Sequence, residues 1–266
     1  MSRKRIWILI LLLLVSGSRS LVHAGEKAKA KDNSETAKAK SRTFKFTYSA
    51  SVNELPAGAN VRVWIPQPQS NEHQKIKRVG QSLPSTKVGF STESKYHNKM
   101  LYFESKAPES GEINFSVTYR IKRSEVIGLT SMTGTELTKE ERKLFLSANS
   151  KVPIDGKPAA LLDGLELPKN DALGLGEFLY NKVEAHMRYD KSKPGYGTGD
   201  AVWACDSRYG NCTDFHSLFI SMTRSQGVPA RFEIGFPLPE KRGEGDIDGY
   251  HCWAFFHVDD HGWVPV

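Results

Sequence analysis

Cysteine is scarce in this sequence: 266 residues contain three, Cys205, Cys212 and Cys252. Three cannot cross-link a disulfide-built scaffold, and an odd count leaves at least one thiol free in an oxidising compartment. No C-x-x-C pair is present, so the usual spacing of a structural zinc site is missing. Long apolar runs are lacking too. The ten residues from Ile6 to Val15 would span about 15 Å as a helix, half of the ~30 Å hydrocarbon core of a bilayer. A stable membrane span is therefore not expected. A basic surplus is absent where it would matter. The net charge is +7, but residues 1–24 hold +4 of it and residues 25–42 the other +3, which leaves 43–266 neutral. A neutral body has no footprint for a phosphate backbone, so nucleic acid is excluded as a partner. Aromatics at 10% nevertheless argue for a folded core.

What is present begins with an export signal. Arg3-Lys4-Arg5 precede the apolar run, and Val22-His23-Ala24 form an A-x-A-like cleavage site before Gly25. Residues 1–24 are read as a signal peptide, and the location as periplasmic or secreted. Residues 25–42 are rich in Lys, Ala and Ser without apolar periodicity, and read as a disordered charged linker. Residues 43–124 change character. Phe44, Phe46 and Tyr48 alternate with polar residues, as do Val61, Val63 and Ile65, and Ile113, Phe115, Val117 and Tyr119. Period-two runs broken by Gly, Pro and Asn predict antiparallel strands, and a small β-sandwich. Residues 125–169 form a connection with one helix, opened by the capping box Thr138-x-x-Glu141. A second helix is predicted near 171–187, then a Gly-, Lys- and Asp-rich loop over 191–210. Gly174-Leu175-Gly176 lacks the third glycine and the preceding strand of a dinucleotide-binding turn.

The chemistry concentrates in residues 210–266. Phe215, Leu218, Phe219 and Met222 fall at helical spacing, with Gly227 as the stop signal. Cys212 therefore opens a buried helix, where unpaired N–H groups and the helix dipole favour an anionic thiolate, the nucleophilic form. A strand near 229–236 follows. The candidate base is His251, on a strand whose alternation puts His251, Trp253, Phe255 and His257 on one face and Cys252, Ala254, Phe256 and Val258 on the other. If His251 faces the helix start, Cys252 faces away. A Cys opening a helix and a His starting a strand make a nucleophile–base arrangement for acyl transfer.

Gly210-Asn211-Cys212-Thr213-Asp214-Phe215-His216, then Gly227-Val228-Pro229-Ala230-Arg231, His251-x-Trp253 and Gly262-Trp263-Val264-Pro265-Val266, together resemble the transglutaminase-like superfamily. The resemblance spans residues 170–266. It implies an α+β, papain-like fold, with the Cys helix packed on an antiparallel sheet and a β-sandwich in front. It also implies Cys212 as nucleophile, His251 as base and a protein or peptide substrate. No cofactor is implied. In the family an Asp that orients the His follows the Gly-Trp segment, here beyond Val266, so the catalytic domain is expected to be truncated at its C-terminal end. Asp259 and Asp260 lie about 26 Å of strand from His251 and cannot replace it.

Other residues carry lesser expectations. Trp203 is the oxyanion candidate through its indole N–H, with core packing as its simpler role. His216, one turn after Cys212, either pairs with it or is a buried hydrogen-bonded residue. Asp214 is a first-turn acid facing the dipole. His251, Cys252, His257 and His261 invite a metal, but alternation separates the Cys from the histidines, so none is expected. Cys205 and Cys252 could form a disulfide, leaving Cys212 as the odd thiol. The function expected is an exported thiol acyl-transfer enzyme that attacks amides, with hydrolysis favoured over crosslinking. The alternative is a non-catalytic peptide- or protein-binding module with the same fold.

Overall fold

Alternating apolar side chains build the first half of the described structure. The computed structural model describes residues 40–85, 87–126, 134 and 136–266; the expected signal peptide and all but the last three residues of the expected linker lie outside them. Strands β1 (Ser41–Val52), β3 (Gln74–Ser82) and β6 (Ile113–Ser124) form one antiparallel sheet in the order β1-β6-β3. Strands β2 (Asn60–Gln67), β4 (Val88–Thr92) and β5 (Lys99–Lys106) form another, in the order β2-β5-β4. The inner residues of both sheets share one core. Ile65, Leu101 and Phe103 from one sheet meet Ile113, Phe115, Val117, Tyr119 and Ile121 from the other. The Phe103 and Phe115 rings meet edge-on at 5.4 Å. Trp64, on the opposite pleat of β2, stacks on Tyr102 at the surface instead. The linker boundary moves: Ser41 and Arg42 are already strand, because β1 needs them to pair with Ser124 and Arg123.

The second half holds five helices among the described residues. Helix α1 (Lys139–Leu146) is capped by Thr138, whose hydroxyl accepts from Glu141 N at 3.2 Å while Glu141 accepts from Thr138 N at 2.9 Å. Helix α2 (Gly156–Ala160) is a five-residue turn. Helix α3 (Ala172–His186) starts at Asp171, which accepts from Gly174 N, and buries Leu175, Leu179 and Val183. The expected loop over 191–210 contains a further helix, α4 (Ala201–Ser207), because Asp200 accepts from the amides of Val202 and Trp203 at 3.0 Å each. Two-residue strands β7 (Arg188–Tyr189) and β8 (Tyr209–Gly210) flank it and pair in parallel.

Helix α5 (Cys212–Ser225) lies on a sheet formed by β9 (Ala230–Gly235), β10 (His251–Val258) and β11 (Gly262–Pro265), ordered β11-β10-β9 and antiparallel throughout. Its apolar face, Leu218, Phe219 and Met222, packs with Leu179 and Val183 of α3 and with Phe256 and Val264 of the sheet. Each such side chain contributes about 1.5–3 kcal/mol by leaving water. Gly176 lets α3 cross this sheet closely, since a Cβ there would come within 2.2 Å of the Phe256 ring. Arg224 is buried and fully engaged. It donates to Ala230 O at 3.0 and 2.7 Å, to Ser147 O at 2.8 Å and to Asn149 Oδ1 at 2.6 Å. Contacts between the two cores include Phe236 against Phe46 at 4.9 Å and Asn149 Nδ2 donating to the Tyr96 hydroxyl at 2.7 Å. Among the described residues, no helix is long and apolar enough to cross a membrane.

Candidate active site

The start of α5 is held by its own side chains. Asn211 caps the helix by accepting from Thr213 N at 2.9 Å, and Asp214 accepts from Asn211 N at 3.0 Å. Asp214 does more than face the dipole. Wholly buried, it also accepts from Gly197 N at 2.6 Å and Gly199 N at 3.3 Å, and so ties the 195–199 loop to the helix entrance. Gly197 is required there: its φ is +82°, and a Cβ would sit 3.0 Å from the Asn211 side chain. Cys212 is the first residue of this anchored helix and is half-buried.

The sheet presents a different residue to the helix than expected. The alternation along β10 is as the pattern predicts, but it is the Cys252 face that meets α5. Cys252 is fully buried, with its Sγ 3.4 Å from His216 Nδ1 and 3.8 Å from Thr213 Oγ1, against the first turn of the helix that Cys212 opens. The reason is packing. Cys252, Ala254 and Phe256 are the small and apolar set that a helix can cover, whereas Trp253 and Phe255 stay half-exposed. His251, the first residue of β10, is exposed, with its ring 4.8 Å from that of Trp253. Among the described residues it makes no hydrogen bond to Cys212.

Burial pushes the Cys252 thiol up, and the neighbouring Cys212 adds to the rise. Burial, with a smaller contribution from His251, holds the His216 imidazole down at about 4. Both members of the Cys252–His216 contact are therefore neutral near pH 7, which makes it a packing pair without thiolate–imidazolium character. Of the two expectations for His216, the structure bears out the buried hydrogen-bonded residue: its ring meets Cys252 and makes no hydrogen bond to Cys212 among the described residues.

The remaining expected residues fall as follows. Trp203 stands half-buried in α4, edge-on to Tyr209 at 5.3 Å and beneath Gly195. Cys205 and Cys252 are not joined: all three cysteines are free, and Cys205 sits in α4, where His186 Nε2 meets its carbonyl at 2.8 Å. The suggested metal cluster is dispersed. Cys252 faces α5, His257 is buried against the Trp263 ring at 5.3 Å, and His261 is exposed in the β10–β11 turn. Asp259 pairs with Arg142 at 2.6 Å and lies 3.4 Å from His257. Sequence reasoning missed an apolar strip. Phe232 and Ile234 lie opposite Ala254 and Cys252 in the β9–β10 register, so they share the helix-facing side of the sheet, yet they are 41% and 62% exposed. Phe236, Leu238 and Tyr250 are exposed as well. The signal available was the Phe-x-Ile-x-Phe spacing, which cannot by itself distinguish a covered face from an open one.

A cysteine-initiated helix packed on an antiparallel sheet, with a histidine opening the central strand, defines a papain-like α+β class. Residues 160–266 match the family model of the transglutaminase-like superfamily, and this part of the chain is a transglutaminase-like domain. A protein of Haemophilus influenzae that is itself uncharacterised is 24% identical over 239 residues, covering 80% of this chain. The match spans 65% of that relative's length. The structure also resembles a candidate cysteine protease from Cytophaga hutchinsonii, with a TM-score of 0.60 and 16% identity over 85% of this chain and 76% of that one. The periplasmic domain of TgpA from Pseudomonas aeruginosa aligns with a TM-score of 0.43 and 13% identity, over 86% of this chain and 70% of that one.

Proposed function

We propose that the chain is an exported thiol acyl-transfer enzyme that attacks amide bonds of proteins or peptides, with Cys212 as nucleophile. The observation that carries this reading is the placement of Cys212. It is the half-exposed thiol, it opens the anchored helix α5, and the sheet that α5 packs on carries the exposed apolar strip of Phe232 and Ile234. Such a strip suits the side chains of a peptide substrate. In the mechanism, the Cys212 thiolate attacks the amide carbonyl and His251 passes the proton to the departing amine. A thioester remains on Cys212. Water then releases the acid, or an amine takes the acyl group; hydrolysis is the favoured outcome because water is the default acceptor.

His251 starts from an exposed strand end, so it must swing toward Cys212 once substrate is bound. Catalytic hydrogen bonds commonly tighten only in the substrate complex. The backbone N–H of Cys212 at the helix start is the first oxyanion donor, and the indole of Trp203 is the second candidate. The apolar run and cleavage pattern of residues 1–24 support export to the periplasm or beyond.

The test is turnover of a panel of fluorogenic peptide amides, with and without an added primary amine. Cys212→Ala and His251→Ala are each expected to lower kcat/KM by at least about 10³-fold. Turnover that survives Cys212→Ala would refute the assignment.

A further inference from the structure

Cys252 has no place in that mechanism, yet it packs against the helix turn that the proposed nucleophile opens. The Cys252 sulfur lies against the first turn of α5, 3.8 Å from the hydroxyl of Thr213, the residue after Cys212, and each cysteine is fixed by a rigid element: Cys212 by the first turn of α5, Cys252 by the middle strand of the sheet. Cys252 is wholly buried behind Thr213 and His216, whereas Cys212 is partly open to solvent. The third cysteine, Cys205, lies apart in α4.

We propose that Cys212 and Cys252 form a reversible disulfide when the protein meets a peroxide, and that this bond switches the site off. Access sets the order of events, since an oxidant from solvent reaches Cys212 first. The Cys212 sulfur attacks one oxygen of hydrogen peroxide; an S–O bond forms, the O–O bond breaks, and the departing hydroxide leaves as water with the thiol proton. Cys212 is then a sulfenic acid. The Cys252 sulfur attacks the Cys212 sulfur; an S–S bond forms, the S–O bond breaks, and the released hydroxide takes the Cys252 proton, which His216 or Thr213 is placed to relay. Two thiols and one peroxide give one disulfide and two waters, the sulfurs losing two electrons and the peroxide gaining them. A dithiol reductant reverses the step by thiol–disulfide exchange. Cys252 thereby acts as a resolving cysteine, diverting Cys212 from the irreversible sulfinic acid. Loss of activity on bond formation rests on Cys212 being the nucleophile; the bond itself does not.

The experiment uses the full chain, reduced, then exposed to hydrogen peroxide at neutral pH, alkylated, and digested without reductant for peptide mass mapping. The expected product joins the Cys212 and Cys252 peptides, is lighter than their sum by two hydrogens, and disappears with dithiothreitol. In Cys252→Ala and Cys252→Ser, Cys212 is expected to reach sulfinic acid at least about tenfold faster than in the wild type. Sulfinic acid on wild-type Cys212 at the variants' rate, or a cross-link through Cys205 instead, overturns the proposal. The wild-type mapping needs no variant to fold and no substrate. A protein that forms the bond but shows no Cys212-dependent turnover would contradict the proposed function and leave the disulfide standing.

Discussion

His216 and Cys252 touch at 3.4 Å inside the protein, and their neutrality has a measurable consequence. The imidazole is held at about 4 in the folded state against an ordinary 6.5. Unfolding below pH 6.5 therefore takes up a proton. Stability from this group is fully present above pH 6.5 and falls as pH drops toward 4. A lowering from 6.5 to about 4 implies a loss of about 2–3 kcal/mol between pH 7.5 and pH 4.5. Urea unfolding of wild type and His216→Gln at the two pH values isolates it, and the variant is expected to lose that much less. An equal loss in both would contradict a buried neutral His216. Sequence spacing made part of this legible. Positions 212 and 216 share a helix face whatever the fold, but which sulfur the ring meets depends on which pleat of β10 the helix covers. Alternation names two faces without saying which is inside.

At the scale of elements, the long periodic segments were readable and the short ones were not. Helices α3 and α5 and strands β1, β2 and β6 carry enough turns or alternations for their period to show, and α1 is marked by its capping box. Helix α4 has seven residues, too few for a stripe, and its one clear mark is the cap at Asp200. Helix α2, with five residues, has no side-chain cap at all. The role of Asp214 was hidden for a related reason: its partners, Gly197 and Gly199, lie in a preceding loop that has no period of its own. Asp214→Ala would leave three amide donors without their acceptor, a loss of about 3 kcal/mol or more. Denaturant unfolding measures the total. Amide exchange at Gly197 and Gly199 should accelerate more than exchange in the β1-β6-β3 sheet, and uniform acceleration would contradict a local anchor. The capping box of α1 is a smaller case. Thr138→Ala is expected to cost about 1 kcal/mol in the same assay.

For the whole molecule, the question is how the paired β-sheets are joined to the helical second half of the chain. Phe236 rests on Phe46 and Tyr48, while Tyr96 meets Phe145 at 6.4 Å and Asn149 at 2.7 Å, and the two joints share no residue. Phe236→Ala and Tyr96→Ala should each lower stability, and their double variant should match the sum within about 0.5 kcal/mol. A larger deviation would mean that the joints are coupled through the cores. The Phe236 joint lies at the exposed end of β9, where the apolar strip continues from Ile234 to Phe236. The reading of the molecule as a thiol enzyme finally depends on Cys212 being more reactive than its two companions. Iodoacetamide at mildly acidic pH, with site-resolved mass mapping against time, tests this directly. The account predicts rapid alkylation of Cys212, slowed in His251→Ala, while Cys205 and Cys252 remain unmodified. Alkylation of Cys212 no faster than that of a free thiol in solution, and indifferent to His251, would contradict it.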